Sequence, residues 1–275
     1  MIPGAFEYHR PESVSEATGL LSQLGEEARV LAGGHSLIPM MKLRMAAPEH
    51  LVDLQDIAEL QDIAVTGDTV TIGAMVTQDR LISDRALTNA VPIIGEAALQ
   101  IADPQVRYVG TIGGNVANGD PGNDMPGLMQ CLGAAFELVG PNGTRSVAAR
   151  EFYDSAYFTA RADDEILTRI MIPVPTNKGY AYEKQKRKIG DYATAAAAVL
   201  CGGGQASIAM TNLADTPIWS ADAGTALASG DVDGAVAATM AAIDPGDDMR
   251  GPVAFKKHVA QVILRRAIAR AQSRA

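Results

Sequence analysis

Two short stretches about eighty residues apart share one local design, and together they restrict what this chain can become. "LAGGHSLIPM" (31–40) carries an apolar run into Gly33-Gly34, then His35 and Ser36; "TIGGN" (111–115) carries Thr111 and Ile112 into Gly113-Gly114, then Asn115. Glycine pairs let backbone take positive φ and approach a ligand closely, and successive N–H groups in such turns form anion-binding nests. Hydroxyls at Ser36 and Thr111 and the amide of Asn115 add donors. Either stretch alone is an ordinary tight turn. Two of them in one domain suit a diphosphate gripped from both sides, and so a nucleotide cofactor. Neither is a GxGxxG or a GxxxxGK[ST], so neither a simple Rossmann site nor a P-loop is supported.

The surroundings read as α/β at the start. Ser13 and Glu16 form a capping box ahead of Val14, Ala17, Leu20, Leu21 and Leu24 at helical spacing. "ARVLAGG" and "HLVDL" read as short buried strands, which places the first glycine turn at a strand's C-terminal end, where ligands of α/β sheets commonly bind. Hairpins are expected around Thr66-Gly67-Asp68 and Pro141-Asn142-Gly143. Residues 78–101 read as helix broken at Pro92. The stretch 107–126, dense in Gly, Asn, Asp and Pro, reads as irregular for most of its length. Asp120 and Asp124 lie in or beside it; one of them is expected to hold a ribose hydroxyl or to cap a helix starting near Met125. "EILTRIMIPVP" reads as a strand. A domain boundary is placed after Thr176, giving domains 1–176 and 177–275. Beyond it, Lys184, Lys186 and Lys188 alternate as if on one face of a strand, with Tyr192 following. "CGGGQASIAMTNL" reads as a turn and a strand, and three helices finish the chain.

Composition narrows the function. With 275 residues, 47% hydrophobic and 20% charged, the chain has the makeup of a soluble globular protein, and its net charge of −9 argues against a nucleic-acid surface. No apolar run approaches the roughly 18 residues of a membrane span. "MIPGAFEYHRPES" lacks the pattern of a signal peptide, so a cytoplasmic protein is expected, with contact to the inner face of the membrane only through a complex. The two cysteines, Cys131 and Cys201, cannot hold a four-thiolate iron–sulfur cluster or a structural zinc. His9, His35, His50 and His258 show no metal spacing along the chain and are expected at the surface. No nucleophile–base pair can be argued, so any chemistry must come from a cofactor.

"LAGGHSLIPMMKLRM", "TIGGNVANGDPGNDMP" and "YEKQKRKIGDYATAAAAV" resemble the FAD-binding medium subunits of the molybdenum hydroxylases, the xanthine dehydrogenase family, and most closely those of aerobic carbon monoxide dehydrogenases. The resemblance covers essentially the whole chain, though "CGGGQASIAMTNLADTP" follows the family only loosely. It implies an α+β fold, with a two-part FAD-binding domain of the vanillyl-alcohol-oxidase (PCMH) type followed by a smaller C-terminal α+β domain. By motif, Leu31, Ala32, Gly33, Gly34, His35, Ser36, Leu37 and Ile38 would wrap the diphosphate from one side, and Thr111, Gly113, Gly114 and Asn115 from the other. Asp124 would bind the ribose or adenine side. Ile101 and Leu167 would be apolar contacts of the flavin, Lys184 would lie near its ring system, and Tyr192 would cover one face. FAD is expected to be non-covalent.

The resemblance further implies a large molybdenum-cofactor subunit and a small [2Fe–2S] subunit as partners in a dimer of heterotrimers, with electrons passing to an external acceptor such as quinone. It leaves open the same role in a hydroxylase for an N-heterocycle or an aldehyde, and a non-catalytic assembly protein of the same fold.

Overall fold

The computed structural model describes residues 2–176 and 179–275; the junction placed after Thr176 thus falls against residues 177 and 178, outside those described. Along the chain, β1 (Glu7–His9), α1 (Val14–Leu24), β2 (Ala28–Leu31), α2 (Leu37–Lys42) and β3 (His50–Asp53) build a parallel sheet in the order β1-β3-β2. Helix α1 starts where its cap predicts: Ser13 Oγ accepts the Glu16 N–H at 3.2 Å. The Glu16 carboxylate reaches back to the N–H of Glu12 at 2.9 Å, one residue beyond the capping residue itself. Val14, Ala17 and Leu21 turn inward onto Val52 and Leu54.

The second unit is antiparallel. β4 (Ile63–Thr66) and β5 (Thr69–Gly73) form the expected hairpin, with Gly67 at φ +62°. Three helices follow, α3 (Gln78–Ser83), α4 (Arg85–Ala90) and α5 (Pro92–Ala98). The helical stretch therefore breaks twice, at Pro92 as expected and also at Asp84, whose carboxylate caps α4 by accepting the Leu87 N–H at 3.0 Å. Next come α6 (Pro104–Val109), α7 (Ile112–Ala117) and α8 (Asp124–Leu132). The expectation that 107–126 is mostly irregular is overturned. Thr111 caps α7 through its side-chain oxygen, and Gly113, lacking Cβ, lets that helix seat directly on the backbone of Ala74. The strands β6 (Ala135–Gly140) and β7 (Gly143–Ala148) pair as the second hairpin, β8 (Tyr153–Ser155) and β9 (Phe158–Thr159) form a small ribbon, and β10 (Ile166–Pro173) completes a sheet ordered β4-β5-β10-β6-β7.

The C-terminal unit is a sheet ordered β11-β12-β13-β14, made of β11 (Gly179–Gln185), β12 (Ala195–Gly202), β13 (Gln205–Thr211) and β14 (Ile218–Trp219), with α9 (Ala221–Ala228), α10 (Val232–Ala242) and α11 (Val253–Gln272). Strand β12 lies between two cores. Ala196, Ala198 and Leu200 point into the core shared with α5, α7 and α8, while Ala195, Ala197, Val199 and Cys201 point into the core shared with α9, α10 and α11. The expected lysine face is not formed: β11 ends at Gln185, so Lys184 alone of the three lies on the strand and its side chain is buried. Both cysteines are buried and unpaired.

Candidate functional site: a cavity between the two glycine stretches

The first glycine stretch leaves the C-terminal end of β2 and enters α2; the second is the turn from α6 into α7. They touch. A Cβ on Gly33 would collide with the carbonyl of Val109 and the Cα of Gly110, and one on Gly114 would press on Thr111 Oγ1 and Ala32. The glycines thus serve first to bring two backbones together. Beside the contact opens a cavity of about 470 Å3.

Every residue expected at the site lines this cavity except Ile38. The Ile38 side chain instead packs with Leu31, Met41 and Leu51, its δ-methyl occupying the space next to Gly34. One turn into α2, it is carried away from the cavity by the helix.

The two stretches contribute differently. In the second, the backbone donors are already committed: Gly113 N–H to Ala74 O, Gly114 N–H to Thr111 Oγ1, and Asn115 N–H to Thr111 O. Asn115 Oδ1 accepts from Met125 N–H, which leaves its Nδ2 for the cavity. In the first stretch, the N–H groups of Gly33, Gly34, His35, Ser36 and Leu37 have no acceptor among the described residues, and Gly34 sits at φ +72°. Five consecutive free donors beside a left-handed glycine form the kind of nest that takes an anion. Gln78, buried against Thr111 O, leaves one further polar atom of its amide, Oε1, without a partner among the described residues.

Deeper in, Asp124 is fully engaged. Tyr182 OH donates to its Oδ1 at 2.5 Å and Lys184 Nζ to its Oδ2 at 2.7 Å, while Lys184 also reaches Gln100 O at 3.2 Å. Burial pushes the Asp124 carboxyl above the usual range, partly offset by Lys184 and Tyr182. The capping residue of α8 is Asn123, which donates to Asn115 O, and Asp124 follows it as the first helical residue. Asp120 accepts from Gly122 N–H within its own turn. The Tyr192 ring lies against Gly122, where a Cβ would intrude on it. Burial first, then the Asp120 carboxylate, raise the Tyr192 hydroxyl well above its ordinary value.

Sequence reasoning missed several lining residues: Arg29, Gln78, Asn118, Asn123, Arg161 and Glu165 among them. Asn118 and Asn123 fall in the polar run already singled out. Nothing local marks the others, which the fold brings in from α3, β2 and the approach to β10.

Residues 4–175 match the family described as FAD binding domain in molybdopterin dehydrogenase, and residues 180–271 match CO dehydrogenase flavoprotein C-terminal domain. The chain belongs to the FAD-binding subunits of the molybdenum hydroxylases. Over its full length it is 59% identical to the carbon monoxide dehydrogenase medium chain of Afipia carboxidovorans, of which it covers 99%. It superposes with a TM-score of 0.96 on a chain of reconstituted CO dehydrogenase from Oligotropha carboxidovorans, at 59% identity with both chains covered completely. Against quinoline 2-oxidoreductase from Pseudomonas putida 86 the TM-score is 0.92 at 32% identity, with 99% of each chain covered.

The residues present fit the family's cofactor. A dinucleotide needs donors for two adjacent phosphates, which the Gly33–Leu37 nest and Asn115 offer. It also needs an apolar slot for a ring system, which Ile101, Ile166 and Leu167 border.

Proposed function

We propose that this chain is the flavin-bearing electron-transfer subunit of an aerobic carbon monoxide dehydrogenase. It takes electrons from [2Fe–2S] clusters of a small partner subunit, fed by a molybdenum-cofactor subunit that oxidises CO to CO2, and passes them to an external acceptor such as quinone. In this reading the complex is a cytoplasmic dimer of heterotrimers that meets quinone at the inner face of the membrane. The observation that carries it is the cavity itself: an anion nest and an apolar slot, with its best-placed carboxylate, Asp124, tied to Lys184 and Tyr182. A site so equipped suits a bound redox group, and its lining carboxylates Asp124, Glu165 and Asp191 are paired with Lys184, Arg145 and Arg187. The name of the 59%-identical relative supports the choice of CO.

Bound FAD would supply acceptance of electrons one at a time from the clusters and delivery of a pair to an acceptor such as quinone. The chain's own residues bind and orient it. Backbone N–H groups from Gly33 to Leu37 hold the diphosphate from one side, and Asn115 Nδ2 and the Thr111 hydroxyl from the other. Ile101 and Leu167 keep water from the ring system, Tyr192 covers one face of it, and Lys184, fixed by Asp124, places positive charge beside it. In this reading His35 belongs to the turn that holds the diphosphate, and FAD is bound non-covalently. Both cysteines are buried, apart and without partner thiols, in keeping with clusters held by another subunit.

The test is anaerobic addition of CO to the purified complex. Bleaching of the flavin absorption, reversed by a soluble quinone, is expected. A complex whose flavin ignores CO but bleaches with a nitrogen heterocycle or an aldehyde would transfer the chain to another hydroxylase. The similarity to the quinoline enzyme keeps that second reading in view. A chain that takes up no FAD would point instead to an assembly role, against which the two intact glycine stretches argue.

A further inference from the structure

Glu7 and His9 stand two residues apart on β1, so their side chains leave the same face of the sheet. His50 opens the neighbouring strand β3 in register with Glu7. On this face His9 Nε2 lies 3.1 Å from His50 Nδ1, and Glu7 Oε2 lies 3.5 Å from the same nitrogen. The three potential ligand atoms all fall within 4.8 Å of one another. A tetrahedral ion with bonds of about 2.0–2.1 Å to nitrogen or oxygen sets its ligand atoms roughly 3.4 Å apart. The two measured separations bracket that value. The other face of β1 has its own tie to β3, the Tyr8 hydroxyl donating to Asp53 Oδ2 at 2.5 Å.

We propose that Glu7, His9 and His50 bind a divalent transition-metal ion of the Zn2+ type, with water in the remaining position. Two imidazoles and one carboxylate select such a borderline ion over Ca2+ or Mg2+, which take all-oxygen shells. Glu7 is exposed while His9 and His50 are half-buried, so the ion enters from solvent and closes onto a partly desolvated imidazole pair. The site is structural. β1 is a three-residue edge strand, and an ion shared between it and β3 pins it to the sheet. His50 is in register with Ala28 of β2, three residues before Leu31, which puts roughly 10 Å of strand between the ion and the glycine turn of the FAD cavity.

Titration of the full-length chain with Zn2+, followed by calorimetry and by metal analysis after dialysis, tests this. One equivalent is expected for the native chain. His9→Gln and His50→Gln should each weaken binding by at least about 100-fold, the upper end of what outer-shell changes alone cost at metal sites, with FAD content unchanged. Glu7→Ala, at an exposed position, should weaken it by at least about tenfold. No Zn2+ uptake, or equal uptake by a His9→Gln/His50→Gln double variant, would overturn the proposal and leave the pair as a simple imidazole–imidazole hydrogen bond. Should His50→Gln fail to fold, Glu7→Ala decides, and unchanged affinity there overturns the proposal as well.

Discussion

Gly33 shows how one missing methyl group can hold a cofactor site together. Its neighbours at Val109 and Gly110 are backbone atoms, which cannot rotate aside. Gly33→Ala must part the two stretches, and overpacking of this kind costs about 1–3 kcal/mol. Because the strain falls on the cavity wall, FAD retention should drop by about tenfold or more, at roughly 1.4 kcal/mol per tenfold; flavin-to-protein ratio after gel filtration measures it. Glu165, at another part of the wall, carries a pH dependence. Arg145 donates to both its oxygens, at 2.6 and 2.7 Å, and the Ala162 N–H adds a third bond, which together hold its carboxyl below the ordinary 4.5. A depressed carboxyl pKa stabilises the fold above the unfolded value, and that stability is lost as pH falls through the folded value. Glu165→Gln should therefore be less stable near neutral pH and should lose less on acidification below about pH 4.5 than the native chain does, as urea midpoints at several pH values will show.

Elements in this protein repeatedly follow their surroundings over their own propensities. Strand β12 reads "AAAAVLCG", a composition that favours helix. It is extended because its two faces meet two cores, and only small side chains let helices approach both sides of the sheet. Ala197→Leu, which adds volume on the α11 side, should cost about 1–3 kcal/mol with the denaturant slope unchanged. Helix α8 is the counterpart: all nine of its residues are buried, so it shows no polar stripe by which the sequence could announce it. Its Cys131 thiol, lodged against the carbonyls of Ala198 and Ser207, is pushed by burial up to about 12. Thiol reagents at pH 8 should leave it untouched until the chain is unfolded, as a timed thiol assay would record.

At the scale of the whole molecule, the C-terminal sheet is a wall between the FAD-binding unit and the three last helices. A charge network ties the last helix, α11, and the residues after it across the sheet. Arg270 pairs with Glu96 of α5 at 2.9 Å and Glu183 of β11 at 2.8 Å, and Arg274 reaches Glu96 at 2.6 Å while stacking over Tyr180. The groups are partly exposed, so the network adds modestly to stability. Glu96→Gln should cost roughly 1 kcal/mol or less, with the loss shrinking as salt rises. Urea unfolding in low and high salt measures both.

The sequence by itself determined the local features that depend on near neighbours: the capped helix α1, the two hairpins with their Gly turns, the glycine pairs, and through them the cofactor class. Each is a short-range matter of φ, ψ and capping bonds, which a few residues settle alone. Tertiary structure decided what contact between distant segments settles. It spent the backbone donors of Gly113 and Gly114 on Ala74 O and Thr111 Oγ1, leaving the anion nest to Gly33–Leu37, and turned Ile38 into a separate small core. It also bound Asp124 to Lys184 sixty residues away in the chain. His9 and His50, which show no metal spacing along the chain, came within hydrogen-bonding distance because parallel pairing of β1 and β3 joins residues that the crossover keeps far apart in sequence.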